Sequence, residues 1–219
     1  MSLLGFTHDL RAAIVDLDGT MVDTLGDFDV ALNRTLQGLA LAEVSRAFIE
    51  RTVGKGGEHL VRQTLAHVGA DAALFDAAWT AYQQHYAEVN GQHSQVFEGV
   101  VEGLESWRAR GWRLACLTNK PQAPALALLQ AKGLAGFFEQ CFGGDSFERK
   151  KPDPLPLLRT CEALGVAPAQ ALMVGDSRND AEAARAAGCP VVLVSYGYNH
   201  GEPIQSVGAD AVIERLDAL

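Results

Sequence analysis

The chain has 219 residues, of which 48% are hydrophobic and 21% are charged, and its formal net charge at pH 7 is −9. This composition is typical of a globular protein and excludes a disordered or low-complexity chain. The length suits one large domain or a core with a small insertion, since domains usually contain roughly 100–200 residues. The acidic balance argues against nucleic-acid binding, because a phosphate backbone requires a basic protein face.

The sequence also favours a cytoplasmic protein with no membrane partner. Residues 1–11 lack the long apolar stretch and the cleavage site of a secretory signal. No uncharged apolar run approaches the roughly 20 residues that cross a bilayer. The four cysteines form no Cys-x-x-Cys pair, and we expect them to be reduced and buried.

Short apolar runs alternate with longer amphipathic stretches along most of the chain. Four continuous apolar runs are predicted to be strands of a buried parallel sheet: Ala12–Asp16, Leu114–Thr118, Ala171–Gly175 and Val191–Ser195. Four stretches are predicted to be helices: Val100–Arg110, Pro121–Lys132, Pro154–Leu164 and Asn179–Ala187. Alternating strands and helices indicate a doubly wound, Rossmann-like α/β sheet with right-handed crossovers.

The segment after the first predicted strand interrupts this alternation. From Asp27 to about Glu88 the pattern is helical and contains no convincing strand. We interpret the segment as an inserted α-helical cap domain, residues 23–92. The α/β core domain would then comprise residues 1–22 plus 93–219.

Two aspartates, Asp16 and Asp18, come at the end of the first predicted strand. Ligands bind at the carboxyl ends of the strands in open α/β sheets, and carboxylates buried there are costly to desolvate without a partner. A divalent cation such as Mg²⁺ would offset the cost of burying these carboxylates. Mg²⁺ prefers oxygen ligands and commonly bridges to a phosphate. Gly19 allows the sharp turn that follows. Taken alone, the pattern also fits a turn with solvated aspartates.

Three further polar motifs flank predicted strands and helices, and each has two interpretations. The sequence TNK at 118–120 ends the second strand and offers an anion site or a simple helix cap. The sequence KKPDP at 150–154 offers either a lysine that can reach a phosphate or a basic turn that lies in solvent. Asp176 and Asp180 follow another predicted strand. They either add carboxylates at the same edge of the sheet or begin a helix, whose dipole favours acidic residues at its start.

In this order, the four motifs resemble those of the haloacid dehalogenase superfamily. The matching sequences are DLDGTMVDT, LTNK, KKPDP and VGDSRNDAEAARAAG. The resemblance covers essentially the whole chain and implies a cap of the helical C1 type. Within the superfamily, VGKGGEHLVRQTL and VSYGYNHGEPI are most similar to sequences of bacterial phosphoglycolate phosphatases.

This resemblance implies a Mg²⁺-dependent phosphomonoesterase that acts on a small phosphorylated metabolite through an aspartyl-phosphate. By similarity, Asp16 is the nucleophile and Asp18 is the general acid and base. Mg²⁺ would be held by Asp16, the backbone carbonyl of Asp18, and Asp176. The other implied positions are phosphate contacts and one supporting carboxylate: Thr118, Asn119, Lys151 and Asp180. Lys151 would also shield the charge of Asp16.

The cap is expected to set the substrate, because it must close over a molecule as small as 2-phosphoglycolate. The glycine-rich sequence Val53–Glu58 precedes a predicted helix whose free N–H groups suit an anion. We therefore place the substrate's carboxylate near Lys55, Gly56 and Arg62. The alternative is a flexible connection with Lys55 in solvent.

Two other functions compete with a phosphoglycolate phosphatase. A sugar-phosphate phosphatase or a hexose-phosphate mutase on the same scaffold would keep the same core residues, whereas superfamily dehalogenases lack the second aspartate. A non-catalytic binding protein would be expected to have lost Asp16, Asp18, Lys151 or Asp176, and all four are present. The sequence does not distinguish a monomer from a homodimer, since it contains no coiled-coil heptads.

Overall fold

The computed structural model describes residues 9–219, so the first eight residues of the predicted core domain lie outside the described residues. The strands in chain order are β1 (Ala12–Val15), β2 (Val22–Asp23), β3 (Gln95–Val96), β4 (Arg113–Leu117), β5 (Gln140–Phe142), β6 (Ala171–Gly175), β7 (Val191–Val194) and β8 (Ala211–Ile213). The helices are α1 (Leu25–Gly38), α2 (Arg46–Thr52), α3 (Gly57–His67), α4 (Phe75–Val89), α5 (Val100–Ala109), α6 (Gln122–Ala131), α7 (Leu155–Leu164) and α8 (Arg178–Ala187).

Six strands form one parallel sheet in the order β5-β4-β1-β6-β7-β8. The chain therefore runs outward from β1 through β4 and β5, and then returns to place β6 on the other side of β1. This is the doubly wound order with its topological switch point between β1 and β6, where such sheets bind ligands. The predicted α/β fold class is confirmed.

Helices cover both faces of the sheet, and the alternation of side chains along β1 shows why its sequence is apolar throughout. Ala13 and Val15 pack in the core beneath α5 and α6, which includes the fully buried Trp107. Ala12 and Ile14 point to the opposite face, under α7 and α8. A strand buried on both faces needs apolar residues at every position.

Helices α1–α4 lie between β2 and β3 and share a third hydrophobic core, which includes Leu32, Ile49 and Tyr82. The short strands β2 and β3 pair antiparallel where the chain leaves and re-enters the α/β core, with Val22 opposite Val96. The predicted domain boundaries fall inside β2 and shortly before β3. None of the helices within residues 9–219 has the length and hydrophobicity that a membrane span requires.

The two outer strands, β5 and β8, were not predicted from the sequence. Each has only three residues, and β5 is half-buried along its length. Edge strands are short and lack the continuous apolar run of a central strand. All four cysteines are unpaired as expected, although Cys141 in β5 is only partly buried.

Candidate active site

The candidate site lies at the carboxyl ends of β1 and β6. The register pairs Val15 with Val174, and the N–H of Asp16 donates to the carbonyl of Val174 at 2.9 Å. This pairing brings Asp16 next to the carboxylate that follows β6, Asp176. Carboxylate oxygens of Asp16, Asp176 and Asp180 lie within 4.8 Å of one another, and all three side chains are buried.

Lys151 supplies a buried positive charge to this cluster. Its Nζ lies 3.0 Å from Oδ1 of Asp16 and donates to Oδ1 of Asp180 at 2.7 Å and to the carbonyl of Leu117 at 2.8 Å. Burial by itself would lower the pKa of Lys151, but Asp16 and Asp180 outweigh that effect and raise its pKa. Lys151 is therefore a fixed cation beside Asp16.

The cluster carries more negative than positive charge. Burial raises the pKa of Asp16 to about 7 despite the opposing effect of the Lys151 ammonium, and Asp180 adds to the rise. Burial also raises the pKa of Asp176 well above its ordinary value, with Asp180 and Asp16 as further causes. Ionising all three carboxylates against one ammonium would leave an excess of two negative charges, and the raised pKa values of Asp16 and Asp176 reflect the cost of that excess. A divalent cation would balance that excess, and oxygen donors are the ligands that hard cations prefer.

The loop after β1 forms a close-fitting wall around Asp176. Oδ1 of Asp176 accepts a hydrogen bond from Oγ1 of Thr20 at 3.2 Å, and Oδ2 accepts one from the N–H of Tyr198. Gly19 has a φ of +82°, and a Cβ at this position would lie 2.3 Å from Oδ2 of Asp176. The turn therefore requires glycine for both its conformation and its close approach to the carboxylate.

Asp180 supports the cluster rather than opening toward a ligand. Its Oδ1 is occupied by Lys151, and its Oδ2 accepts hydrogen bonds from the hydroxyl of Ser177 at 2.9 Å and from the N–H of Ser177 at 3.1 Å. The alternative interpretation of Asp180 as part of a helix start is thus also correct, because Ser177 immediately precedes α8. One side chain fixes the beginning of α8 and orients Lys151.

Asp18 lies apart from the buried cluster and pairs with a second lysine. Nζ of Lys120 donates to Oδ1 of Asp18 at 2.9 Å and also contacts the hydroxyl of Tyr86 on the cap helix α4. The ammonium lies 4.6 Å from the centre of the Tyr86 ring and 4.9 Å from that of Phe28 on α1. Lys120 therefore joins Asp18 to the aromatic face of the cap.

Thr118 and Asn119 are both buried at the end of β4, and neither caps α6. That helix begins at Gln122, whose N–H donates to Oδ1 of Asp145 at 2.7 Å. Oγ1 of Thr118 instead accepts from the N–H of Lys120 at 3.2 Å. The alternative interpretation of these two residues as simple helix caps is wrong.

The side chain of Asn119 is committed to a contact between the core and the cap. Nδ2 donates to the carbonyl of Gly54 at 3.0 Å and to that of Lys151 at 2.9 Å, whereas Oδ1 is buried without a hydrogen-bond partner among the described residues. Both amide hydrogens are used. A hydrogen bond donated by Asn119 to a phosphate would therefore have to come from its backbone N–H.

A cavity of about 230 Å³ lies above the cluster and reaches between core and cap. Asp16, Asp18, Asp176 and Thr118 line its core side, and the cap side is largely aromatic, with Phe28, Trp79, Tyr82 and Tyr86. Of the three predicted cap residues, Gly56 lines the cavity. Lys55 and Arg62 do not.

The positions of Lys55 and Arg62 correct the expected carboxylate site. Lys55 is exposed, and its carbonyl accepts a hydrogen bond from Nζ of Lys150 at 2.8 Å. The guanidinium of Arg62 is also exposed and lies 3.5 Å from the centre of the Phe75 ring, which stacks on Trp79. Arg62 lies outside the cavity because α3 turns its buried face, not its charged face, toward the rest of the cap. Lys55 precedes α3, in a loop that leaves its side chain in solvent.

Two cavity residues were not recognised as functional from the sequence, Lys120 and Tyr198. Tyr198 holds Asp176 through its N–H, and its hydroxyl contacts Asp23 and accepts from the N–H of Thr24. Tyr198 comes from the segment after β7, VSYGYNHGEPI, which carries a family resemblance but no residue with a predicted chemical role. Lys120 does belong to a predicted anion-binding motif, TNK at 118–120, and that position is the signal that could have identified it.

Comparison with known proteins gives one consistent result. The sequence profile of the haloacid dehalogenase-like hydrolase family matches residues 13–194. The chain is 44% identical to a phosphoglycolate phosphatase from Thiobacillus denitrificans, over 96% of this chain and 94% of that protein. It is 42% identical to a phosphoglycolate phosphatase from Nitrosospira multiformis, with the same coverage.

A solved structure shows the same architecture. The crystal structure of a predicted phosphoglycolate phosphatase from Haemophilus somnus superposes with a TM-score of 0.91 at 31% identity, over 96% of each chain. The matched region includes most of β1 and all of β4 and β6, and it contains Asp16, Asp18, Thr118, Lys151 and Asp176. The chain belongs to the haloacid dehalogenase-like hydrolase family.

Proposed function

We propose that this protein is a Mg²⁺-dependent phosphatase that hydrolyses 2-phosphoglycolate to glycolate and phosphate. The observation that carries the proposal is the placement of Asp16 at the floor of a cavity, between Lys151 and Asp176. The relatives named phosphoglycolate phosphatase, which match nearly the whole length of the chain, support the choice of substrate.

The described residues fit a divalent metal ion. Asp16 and Asp176 offer oxygen donors close together, and a cation would offset the cost of ionising both, which their raised pKa values reflect. Asp180 is engaged by Lys151 and Ser177 and does not line the cavity, so we assign the metal to Asp16 and Asp176, which do, and to the backbone carbonyl of Asp18. When bound, Mg²⁺ would reduce the repulsion between the carboxylate and the anionic phosphoryl group.

Asp16 is well placed to be the nucleophile. Its Oδ1 accepts a hydrogen bond from the N–H of Leu17 at 2.8 Å and faces Lys151, whereas Oδ2 has no hydrogen-bond partner among residues 9–219. In the proposed reaction Oδ2 bonds to phosphorus and the bond to the leaving oxygen breaks, giving an aspartyl-phosphate. Thr118, which lines the cavity beside Asp16, would hold a phosphoryl oxygen.

Asp18 is the acid and base of this proposal. It lies two residues from the nucleophile and lines the same cavity. As an acid it would protonate the leaving glycolate oxygen, and as a base it would then take a proton from the water that attacks phosphorus and releases Asp16. Lys151 keeps its charge throughout and stabilises Asp16 as the leaving carboxylate.

A phosphate-release assay tests the proposal. The purified protein with Mg²⁺ should liberate phosphate from 2-phosphoglycolate, and chelation should abolish the reaction. Hexose 1-phosphate serves as the comparison substrate, because a mutase would isomerise it without net phosphate release. Isomerisation together with inactivity on 2-phosphoglycolate would overturn the proposal in favour of a mutase.

A further inference from the structure

We infer that Lys120 binds the carboxylate of the substrate and thereby selects phosphomonoesters that carry a second anionic group next to the ester. This inference rests on the proposed function and names the group that provides its selectivity. It replaces Lys55 and Arg62, whose side chains lie outside the cavity.

The charges that line the cavity single out Lys120. Within the part of the chain that the structure describes, it is the one Lys or Arg among the residues lining the cavity, which also include three aspartates. Its side chain is only 3% exposed. A substrate with a phosphate and a carboxylate needs a cation for each, and Lys151 is already held by Asp16 and Asp180.

The contact with Asp18 puts Lys120 at the required distance from the phosphate. In the proposed reaction Asp18 protonates the leaving oxygen of the ester. In 2-phosphoglycolate a single methylene separates that oxygen from the carboxylate carbon. Because Nζ of Lys120 lies 2.9 Å from Asp18, it is within reach of a carboxylate one carbon beyond the leaving oxygen.

The ammonium is held in place and still has a hydrogen to donate. It carries three N–H donors, and the structure gives it two hydrogen-bond partners, Asp18 and the hydroxyl of Tyr86. The rings of Phe28 and Tyr86 enclose the charge at 4.9 and 4.6 Å. A lysine that is fixed before binding loses little side-chain freedom when it takes a carboxylate.

A comparison of two substrates on three proteins tests this role. The substrates are 2-phosphoglycolate and ethyl phosphate, which has the same carbon count but no carboxylate. The proteins are the parent, Lys120→Met and Lys120→Arg. We expect Lys120→Met to raise KM for 2-phosphoglycolate and to lower kcat/KM by roughly ten- to hundredfold more than for ethyl phosphate, the range for a lost hydrogen bond to a charged group. Lys120→Arg should retain part of the preference.

Lys55→Met tests the competing assignment, and we expect it to leave the ratio between the two substrates unchanged. An equal loss on both substrates in Lys120→Met would reduce Lys120 to a positioning residue for Asp18 and overturn the inference, as would a changed ratio in Lys55→Met alone. If Lys120→Met fails to fold, Lys120→Gln takes its place in the same comparison. A parent protein that hydrolyses neither substrate would instead refute the proposed phosphatase function.

Discussion

The edge of the sheet and the cap loop at residues 53–57 both border the cavity, but different forces position them. Asp16 and Asp176 come together because β1 and β6 pair in register and each aspartate is the first residue after its strand. The cap loop is held through main-chain atoms: the carbonyl of Gly54 accepts from Asn119 and Asn179, and that of Lys55 accepts from Lys150. The chemistry of the sheet edge therefore depends on which side chains follow the strands, whereas the position of the cap loop depends on the conformation of its backbone.

The largest effect expected from breaking the sheet edge is the loss of Asp16, the proposed nucleophile. Asp16→Asn should retain the fold and lose phosphate release by several orders of magnitude, as expected for removal of a covalent nucleophile. Phosphate release from 2-phosphoglycolate gives the rate, and circular dichroism checks the fold. Activity within about tenfold of the parent would contradict the role of Asp16.

A substitution in the turn after β1 tests how closely Asp176 is enclosed. Gly19→Ala places a Cβ 2.3 Å from Oδ2 of Asp176, so we expect weaker binding of Mg²⁺ and a large loss of activity. Gly133→Ala is the matched control, since Gly133 also has a positive φ, +70°, but no atom lies within 4 Å of its added Cβ. Each variant should lose about 1–2 kcal/mol for the strained backbone.

The readout for this pair is the rise in the thermal unfolding midpoint on addition of Mg²⁺. That rise should be present in the parent and in Gly133→Ala and much smaller in Gly19→Ala. Equal responses in the two variants would show that the turn does not hold Asp176 in place for a metal ion.

The raised pKa of Asp16 predicts a pH-dependent stability of the metal-free protein. Because burial raises this pKa from 3.8 to about 7, the folded protein holds a proton between these values that the unfolded chain has released. The contribution of Asp16 to the free energy of unfolding therefore decreases as the pH rises from about 4 to about 7.

Asp16→Asn removes this titration and should be several degrees more stable than the parent at pH 8, with the difference shrinking toward pH 4. Thermal unfolding with a chelator measures it. Repeating the pH 8 measurement with Mg²⁺ should stabilise the parent more than the variant. A difference that does not depend on pH would contradict the raised pKa.

The smallest expected effect on activity concerns the contact between the core and the cap loop. Asn119→Ala removes two hydrogen bonds and should lower the stability by about 1–3 kcal/mol and raise KM, because the loop is held less firmly. Asn179→Ala removes a single, longer hydrogen bond of 3.3 Å to the carbonyl of Gly54 and should lower the stability by less than Asn119→Ala does. Thermal unfolding and steady-state kinetics compare the two. A larger cost for Asn179→Ala would show that Asn119 does not anchor the loop.

The contrast between the two regions also explains what the sequence could and could not predict. β6 was predicted with its observed bounds, and the motifs after β1, β4 and β6 were assigned to one edge because parallel topology brings strand ends together. The pairing of Lys120 with Asp18 joins residues 102 positions apart and depends on Tyr86 of the cap, so no local pattern reports it. The sequence favours Lys55 as the carboxylate site because it lies in the glycine-rich loop before a predicted helix. In the structure that loop turns the Lys55 side chain to solvent.

The docking of the cap loop through its carbonyls has a consequence for altering this enzyme. Every residue has a carbonyl, so the loop can accept new side chains at position 55 without losing the hydrogen bond to Lys150. Gly54 and Gly56, with φ values of +100° and +91°, are the positions that must stay glycine. A library that varies the aromatic wall of the cavity, with both glycines retained, would explore new substrates while the main-chain attachment of the loop stays unchanged.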